Sequence, residues 1–301
     1  MSLLIVIPTL NEAAQIDAVI AGLLTEAPDG TLLVVADGGS TDGTPEIVRR
    51  RMGAEPRLRL IHNPQRLQSA GINLAVDLLG EGRTHLLRAD AHAAYPPRFA
   101  GQLLEEMART GAASVTVAME TVGSDAFTQG VAAAQHSILG TGGSAHRIGL
   151  SGTSGGRFVD HGHHALMRLA DFRAVGGYDP GQSHNEDAEL DHRLRRAGRK
   201  IWLTDRLRIR YLPRRSLGAL YRQYLAHGRG RATTVMKHAL PLKPRQMAPA
   251  LVPVAVGLAG MGVVLAPVDA GWLLLAGPAL LWAVLCLGFG CLLALRSRQW
   301  A

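Results

Sequence analysis

TLLVVADGGSTDGTPEIVRRRM, residues 31–52, is the stretch that decides the fold. Five consecutive apolar residues end on a carboxylate, Asp37. A short glycine-rich polar loop follows, and then a helix with Thr44 read as its cap and Pro45 in its first turn. An apolar run without polar alternation is the mark of a strand covered on both faces, as in parallel sheets flanked by helices. Upstream, LLIVIP is a second such run, and TLNEAAQIDAVIAGLL places Ile16, Val19, Ile20, Leu23 and Leu24 on one helical face. Downstream, HNPQRLQSAGINLAVDLL reads as a helix and RTHLLRAD as a further strand. This alternation predicts an α/β domain with a mainly parallel, Rossmann-like sheet. Ligands on such sheets bind at the carboxyl ends of the strands, where Asp37 and Asp90 fall.

The chain has 301 residues and a net charge of +8, enough length for a large buried core. Its two cysteines, Cys286 and Cys291, lie in an apolar run and imply no disulfide framework. MSLLIVIPTLNE lacks a basic leader and a small-residue cleavage site, so it reads as a first strand and not a signal peptide. Between Pro249 and Leu295 the one charged residue is Asp269. The two halves, 249–268 and 271–295, are each near the roughly 20 apolar residues that cross a bilayer. Lys237, Lys243 and Arg245 precede them and Arg296 and Arg298 follow, which predicts a helical hairpin with both ends cytoplasmic. A soluble core hairpin is the alternative. The expected organisation is therefore a catalytic domain over 1–212, a basic amphipathic juxtamembrane segment over 213–246, and two membrane helices.

No GxGxxG follows the first strand and no GxxxxGK[ST] occurs, which argues against dinucleotide and P-loop chemistry. A strand-end aspartate accepts hydrogen bonds and suits a base or ribose, while Gly38, Gly39 and Gly43 let backbone approach a ligand. Asp90 and His92, two apart in extended backbone, point the same way and are a candidate pair for a divalent cation, Mn²⁺ or Mg²⁺. NEDAELDHRLRRAG, 185–198, gathers four carboxylates (Glu186, Asp187, Glu189 and Asp191) at the start of a helix that is otherwise basic. One reading is a solvated, charge-balanced face. The other is a catalytic carboxylate kept ionised by the helix N-terminus.

VIPTLNE, DGGSTDGT (37–44), SAGINLA (69–75), RADAHAAYP (88–96), VGGYDP (175–180) and the 185–198 block occur in one order. In this the chain resembles the inverting family 2 glycosyltransferases of GT-A fold, and among them the membrane-anchored bacterial enzymes of succinoglycan-type exopolysaccharide synthesis. The resemblance covers roughly residues 3–235. It implies that Pro8, Thr9, Asn11, Glu12, Asp37, Gly39 and Asp90 bind the nucleotide. Asp90 would serve the metal and diphosphate, with His92 where many members carry a second aspartate. Asp187, beside Glu186, would be the catalytic base, taking the acceptor's proton opposite the leaving nucleotide. Glu189 and Asp191 would be supporting or solvated, pairing with Arg193 or Arg195.

Gln223 with Arg229 or Arg231 resembles the looser glutamine motif of exopolysaccharide enzymes and would serve diphosphate or acceptor. Three roles remain open for the basic stretch 209–240: an ordinary surface helix, an interfacial helix on anionic lipid, or a source of arginines for diphosphates. Gly177 and Tyr178 would let backbone approach a sugar, and His161, His163 and His164 would line the acceptor side, zinc lacking a completing ligand set. Residues 123–149 read as a mobile loop near the acceptor. The function expected is hexosyl transfer, glucose by likeness alone, from a UDP-sugar to a polyprenyl-diphosphate-linked saccharide at a bacterial inner membrane. Other polysaccharide-assembly enzymes would be partners. Alternatives are a polyprenyl-phosphate hexose synthase and a non-catalytic nucleotide- or glycan-binding subunit. No nucleic-acid motif accompanies the positive charge.

Overall fold

The structure, a computed structural model, describes residues 2–141, 155–242 and 244–297. Lys243, Arg298, the side chain of His164 and the second half of the expected loop, 142–149, lie outside the described residues.

Strand β1 (Leu3–Thr9) and strand β2 (Leu32–Asp37) are buried at every position, as the unbroken apolar runs require. They pair in parallel with each other, β2 pairs with β3 (Leu58–His62), and β1 with β4 (His85–Arg88), again in parallel. The eight-stranded sheet has the order β3-β2-β1-β4-β7-β5-β8-β6. Two strands break the parallel pattern. Strand β7 (His163–Arg168) runs antiparallel to β4 and to β5 (Ser114–Thr121), and β6 (Arg157–Val159) antiparallel to β8 (Ile201–Tyr211).

Helices cover both faces. On one, α1 (Ile16–Thr25) and α4 (Phe99–Thr110) pack Ile16, Ile20, Phe99 and Leu103 against Leu3, Ile5 and Ile7. On the other, α3 (Gln68–Leu79), α7 (Leu169–Ala174) and α8 (Glu186–Arg196) seal Leu4, Val6 and Val34 with Ile72, Phe172, Leu190 and Leu194. Leu190 and Leu194 are each 1% exposed, and full burial of such side chains stabilises by about 1.5–3 kcal/mol apiece. That packing fixes how the helix start presents its carboxylates. Helix α2 (Thr44–Met52) begins as expected with Pro45 in its first turn, but Gly43 at φ +92 occupies the cap position. The Thr44 hydroxyl instead donates to Asp42 and accepts from the Glu12 amide.

The expected loop at 123–149 is helical where it is described: α5 spans Ala126–Gln135 and α6 Ile138–Thr141. Its start is a reciprocal cap between Asp125 and Thr128, which stabilises a helix whose small residues carry little periodicity. Beyond β8 the chain leaves the sheet as a long helix, α9 (Leu217–His238), followed by α10 (Pro244–Leu265), a 3₁₀ segment (Ala270–Ala276) and α11 (Gly277–Ser297). Two stretches, Met247–Leu265 and Ala270–Leu295, have mean hydropathies of 2.1 and 2.3, and almost none of either is buried against the rest of the chain. They form an apolar hairpin long enough to cross a membrane.

Candidate active site

The carboxyl ends of β1, β2 and β4 converge on one rim of the sheet, and a cavity of about 440 Å³ opens there. Pro8, Thr9, Glu12, Asp90 and His92, all expected from the sequence to serve nucleotide or metal, share its wall. Glu12 and His92 face each other, with Oε1 3.2 Å from the imidazole Nδ1. Asp90 is anchored through its backbone, whose N–H donates to the Tyr95 hydroxyl. Two cations also line the cavity: Arg66, which sequence reasoning missed, and Arg214, which falls in the basic stretch 209–240 without having been singled out. Their signal was present: each stands in the polar segment that leaves a strand, β3 and β8 respectively.

Asn11, Asp37 and Gly39 lie in the neighbouring loops and not in the cavity wall. The Asp37 carboxylate accepts from the backbone N–H groups of Gly39 (2.9 Å) and Ser40 (3.0 Å) and from the Ser40 hydroxyl. Asn11, in a left-handed conformation, accepts from the Thr41 amide, and its own N–H donates to Ser40. In this state the three residues hold the β2 loop in shape. Gly39, at φ +85, needs the freedom of glycine for that turn.

Behind the cavity stands Arg88, also missed, a charged residue 6% exposed at the end of strand β4. One arm donates to Gln68 of the cavity wall at 2.6 Å. The other meets Asp187 and lies 3.1 Å from Glu186, while Nε is 3.6 Å from Asp90. A single guanidinium thus joins the rim aspartate to the carboxylates of α8. Asn185, at φ +65, turns the chain so that Glu186 and Asp187 enter the first helical turn facing inward.

Asp187 is nearly enclosed at 8% exposure. Besides Arg88 it accepts from the Tyr178 hydroxyl (2.8 Å) and faces Nδ1 of His163 (2.8 Å). Burial by itself would raise its pKa, but the Arg88 charge, the His163 hydrogen bond and the nearby histidines hold the carboxyl well below the ordinary range. Glu186 moves the other way: burial, reinforced by the Asp187 charge, raises its pKa against the pull of Arg88. Such divergence between adjacent carboxyls is a common feature of reaction centres.

Several residues have surroundings that the sequence did not show. Glu189 pairs with Arg193 as expected, but it is fully buried rather than solvated and also binds Lys237 and His238. Asp191 is buried too, and accepts from the Gly162 amide and pairs with His161, leaving Arg195 to Asp160. Tyr178 is a core residue at 1% exposure, whose backbone is held in both directions by Asn73. A Cβ on Gly177 would come 2.7 Å from Asn73 Oδ1, so close packing there requires a glycine. Gln223, Arg229 and Arg231 lie on α9 and none lines the rim cavity. Gln223 donates to the Tyr211 hydroxyl and borders a separate apolar cavity of about 1660 Å³ between α9 and the hairpin.

A cation bound here would be held by Asp90 and His92, with Glu12 next to them. Among the described residues no three His, Cys, Asp or Glu side chains form a complete ligand set. Two protein donors suit a hard divalent ion that takes its remaining ligands from substrate phosphate and water.

A mostly parallel sheet with antiparallel strands set into it, and charged side chains where its parallel strands end, is the arrangement of the GT-A class of transferases. Solved structures share the fold. A mannosyltransferase, PcManGT from Pyrobaculum calidifontis, solved with GDP-Man and Mn²⁺, superposes with a TM-score of 0.60 at 19% identity, over 97% of this chain and 80% of that one. GalNAc-T7, solved with UDP, GalNAc and Mn²⁺, gives 0.54 at 12% identity, over 71% and 44%. Residues 1–349 of S. aureus TarS give 0.54 at 13%, over 70% and 60%. The glycosyl transferase family 2 profile matches residues 4–176, and the chain belongs to that family. It is also 48% identical over 299 residues, 99% of its own length and 87% of the relative's, to succinoglycan biosynthesis protein ExoA of Rhizobium meliloti (strain 1021).

Proposed function

We propose that this family 2 glycosyltransferase moves a hexose from a UDP-sugar to a polyprenyl-diphosphate-linked saccharide, with inversion, during exopolysaccharide assembly. The likeness to a succinoglycan biosynthesis protein supports the pathway class. The observation that carries the chemistry is Arg88, which connects the polar rim cavity to a buried, ionised Asp187. A transfer with inversion needs a proton acceptor on the face of the sugar opposite the leaving group. Asp187 and the groups bound to it are the unit that supplies it, with Glu186 alongside.

In this reading the β2 loop, through Asp37, Asn11 and Gly39, and the wall residues Pro8, Thr9 and Glu12 receive the nucleoside. Asp90 and His92 hold Mn²⁺ or Mg²⁺, which when bound neutralises charge growing on the departing diphosphate. Arg66 and Arg214 face the same cavity and offer further positive charge to the diphosphate. Residues 1–212 form the catalytic domain and 213–246 the juxtamembrane segment. Leu217 and Tyr221 are 74% and 68% exposed among arginines, which favours a helix resting on an anionic bilayer surface. Gln223, Arg229 and Arg231, on the same helix, would meet the acceptor at that surface. The hairpin anchors the enzyme in a bacterial inner membrane with the catalytic domain cytoplasmic.

The test is nucleotide release from a panel of UDP- and GDP-sugars by membranes containing the protein, with Mn²⁺, Mg²⁺ or chelator, and with or without extracted polyprenyl-linked lipid. UDP release that requires metal and rises with lipid is expected. Binding of UDP without release from any donor would favour a non-catalytic subunit.

A further inference from the structure

We propose that Thr234, on helix α9, is a positioning residue for the carboxylate pair Glu186 and Asp187, so that the helix leading to the apolar hairpin also sets the geometry of the reaction centre. The inference rests on the transfer reaction proposed above, with Asp187 as its proton acceptor. It begins from a helix that is almost entirely surface. Of the 22 residues of α9, Thr234 alone is buried, at 0% exposure. A threonine covers little apolar area, so the reason for burying it lies in its hydroxyl.

That hydroxyl has three partners. It accepts from the side-chain N–H groups of Gln182 (2.6 Å) and Asn185 (2.8 Å), and it donates to the Gly230 carbonyl one turn back (3.1 Å). A hydroxyl has one proton to give and two lone pairs to fill, and all three are used. Gln182 donates to the same Gly230 carbonyl at 3.0 Å. Gly230 is what lets the helix come so close, because a Cβ there would collide with the His184 carbonyl. Lys237 and His238, three and four positions beyond Thr234, reach Glu189 from the same helical face, and Lys237 also pairs with Asp179. The face carrying 230, 234, 237 and 238 therefore fastens α9 to α8 and to the loop before it.

Asn185 is where this fastening meets the chemistry. An asparagine just before a helix ordinarily caps it, its side-chain oxygen accepting from a backbone N–H of the first turn. Asn185 holds that position without any such bond, and its amide is turned to Thr234 instead. Its backbone is left-handed at φ +65, a conformation that a residue other than glycine keeps only where its surroundings impose it. The chain passes from there straight into Glu186 and Asp187, so a rotation at Asn185 would move both carboxylates away from Arg88. On its other side the loop is held by Ser69 of α3, whose hydroxyl donates to the Gln182 carbonyl at 3.2 Å. Thr234 does not line the rim cavity and bonds neither carboxylate; its influence passes through Asn185. At a reaction centre a displacement of about 1 Å is enough to cost on the order of 100-fold in rate.

The experiment uses the full-length enzyme in membranes and the donor found by nucleotide release, with kcat expressed per UDP-binding site. Thr234→Val keeps the shape of the side chain and removes the hydroxyl, whereas Thr234→Ser keeps the hydroxyl. For Thr234→Val, kcat should fall about 10- to 100-fold, while UDP affinity and the KM for donor stay within about twofold of wild type. Thr234→Ser should keep about half of kcat or more, since its oxygen retains all three bonds. Asn185→Gly accepts the left-handed backbone but lacks the amide. Combined with Thr234→Val it should lose no more kcat than the slower single variant, because both changes remove the same bond. A Thr234→Val enzyme with more than about half of wild-type kcat would overturn the proposal. So would a Thr234→Ser enzyme as slow as Thr234→Val, which would reduce the role to packing, or losses that multiply in the double variant. If Thr234→Val does not accumulate in the membrane, Asn185→Gly decides alone, and a kcat within about twofold of wild type would overturn the proposal. A wild-type enzyme that binds UDP but transfers nothing from any donor would instead remove the reaction on which the proposal rests.

Discussion

Two apolar regions of this chain meet opposite fates. The first strands, Leu3–Thr9 and Leu32–Asp37, are buried residue for residue by helices of their own domain. The hairpin helices are as apolar, yet Leu274 is 83% exposed, Val264 75% and Leu287 70%. Cavities follow suit. The strand ends enclose a small cavity walled by Glu12, Arg66, Asp90 and His92, whereas the hairpin and α9 border a large one walled by leucine, valine and proline. One region finds its cover within the protein. The other needs it from outside, and an exposed apolar surface of that extent is a membrane or partner surface. A polar ligand suits the first cavity and an apolar one the second.

The sharpest way to break this division is at the polar end. Asp187→Asn should reduce transfer by about 1,000-fold or more, because the proposed proton acceptor is lost. Titration with UDP should show nearly unchanged binding; substantial remaining transfer would dissolve the proposed centre. At the apolar end, Leu285→Arg puts a charge in the hairpin's second helix, at about 2.5–3.5 kcal/mol. Membrane fractionation should show less integrated protein. Full retention in the bilayer would mean that this helix is covered some other way.

The junction between the regions is Glu189, buried under Arg193 of its own helix and Lys237 and His238 of α9. Burial tends to raise its pKa, but those three donors bring it down to about 2, below its ordinary 4.5. A lowered folded pKa means stability that is fully present above pH 4.5 and lost as pH falls toward 2. Glu189→Gln should therefore lower stability near neutral pH by about 2–3 kcal/mol, because a fully buried carboxylate loses its charge opposite three partly exposed cations. The difference from wild type should hold from pH 7 to about pH 4.5 and narrow as pH falls toward 2, as read by thermal melts in detergent between pH 7 and pH 2. A constant gap across that range would show that the carboxylate is not ionised in the fold. The smallest effect should come from the surface of α9. Replacing Leu217 and Tyr221 with serine should weaken binding to anionic vesicles by about 1–3 kcal/mol, with nucleotide affinity preserved. Undiminished vesicle binding would leave that helix as an ordinary surface element.

Much of this division is written along the chain in apolar runs. Continuous LLIVI and LLVVA forced central strands, and the connector Asp269-Ala270 parts the hairpin's apolar stretches, 249–268 and 271–295. Pro8, Thr9, Glu12, Asp90 and His92 were legible as site residues because each sits just where a strand ends, and strand ends meet on one rim. Less regular elements hid. Strand β8, IWLTDRLRIRY, alternates with arginines and reads as a basic surface, and it became a strand because β5 and β6 pair with its backbone.

The sequence alone determined a covered parallel sheet, an apolar hairpin and an acidic block at a helix start, since local periodicity and hydrophobicity are properties of neighbouring residues. Tertiary structure alone decided which acids face which bases. Arg88 and Asp187 are 99 positions apart and His163 and Asp187 are 24 apart. No spacing rule links them, because the insertion of β7 between β4 and β5, together with the burial of Leu190 and Leu194, is what brings their charges into one enclosed space.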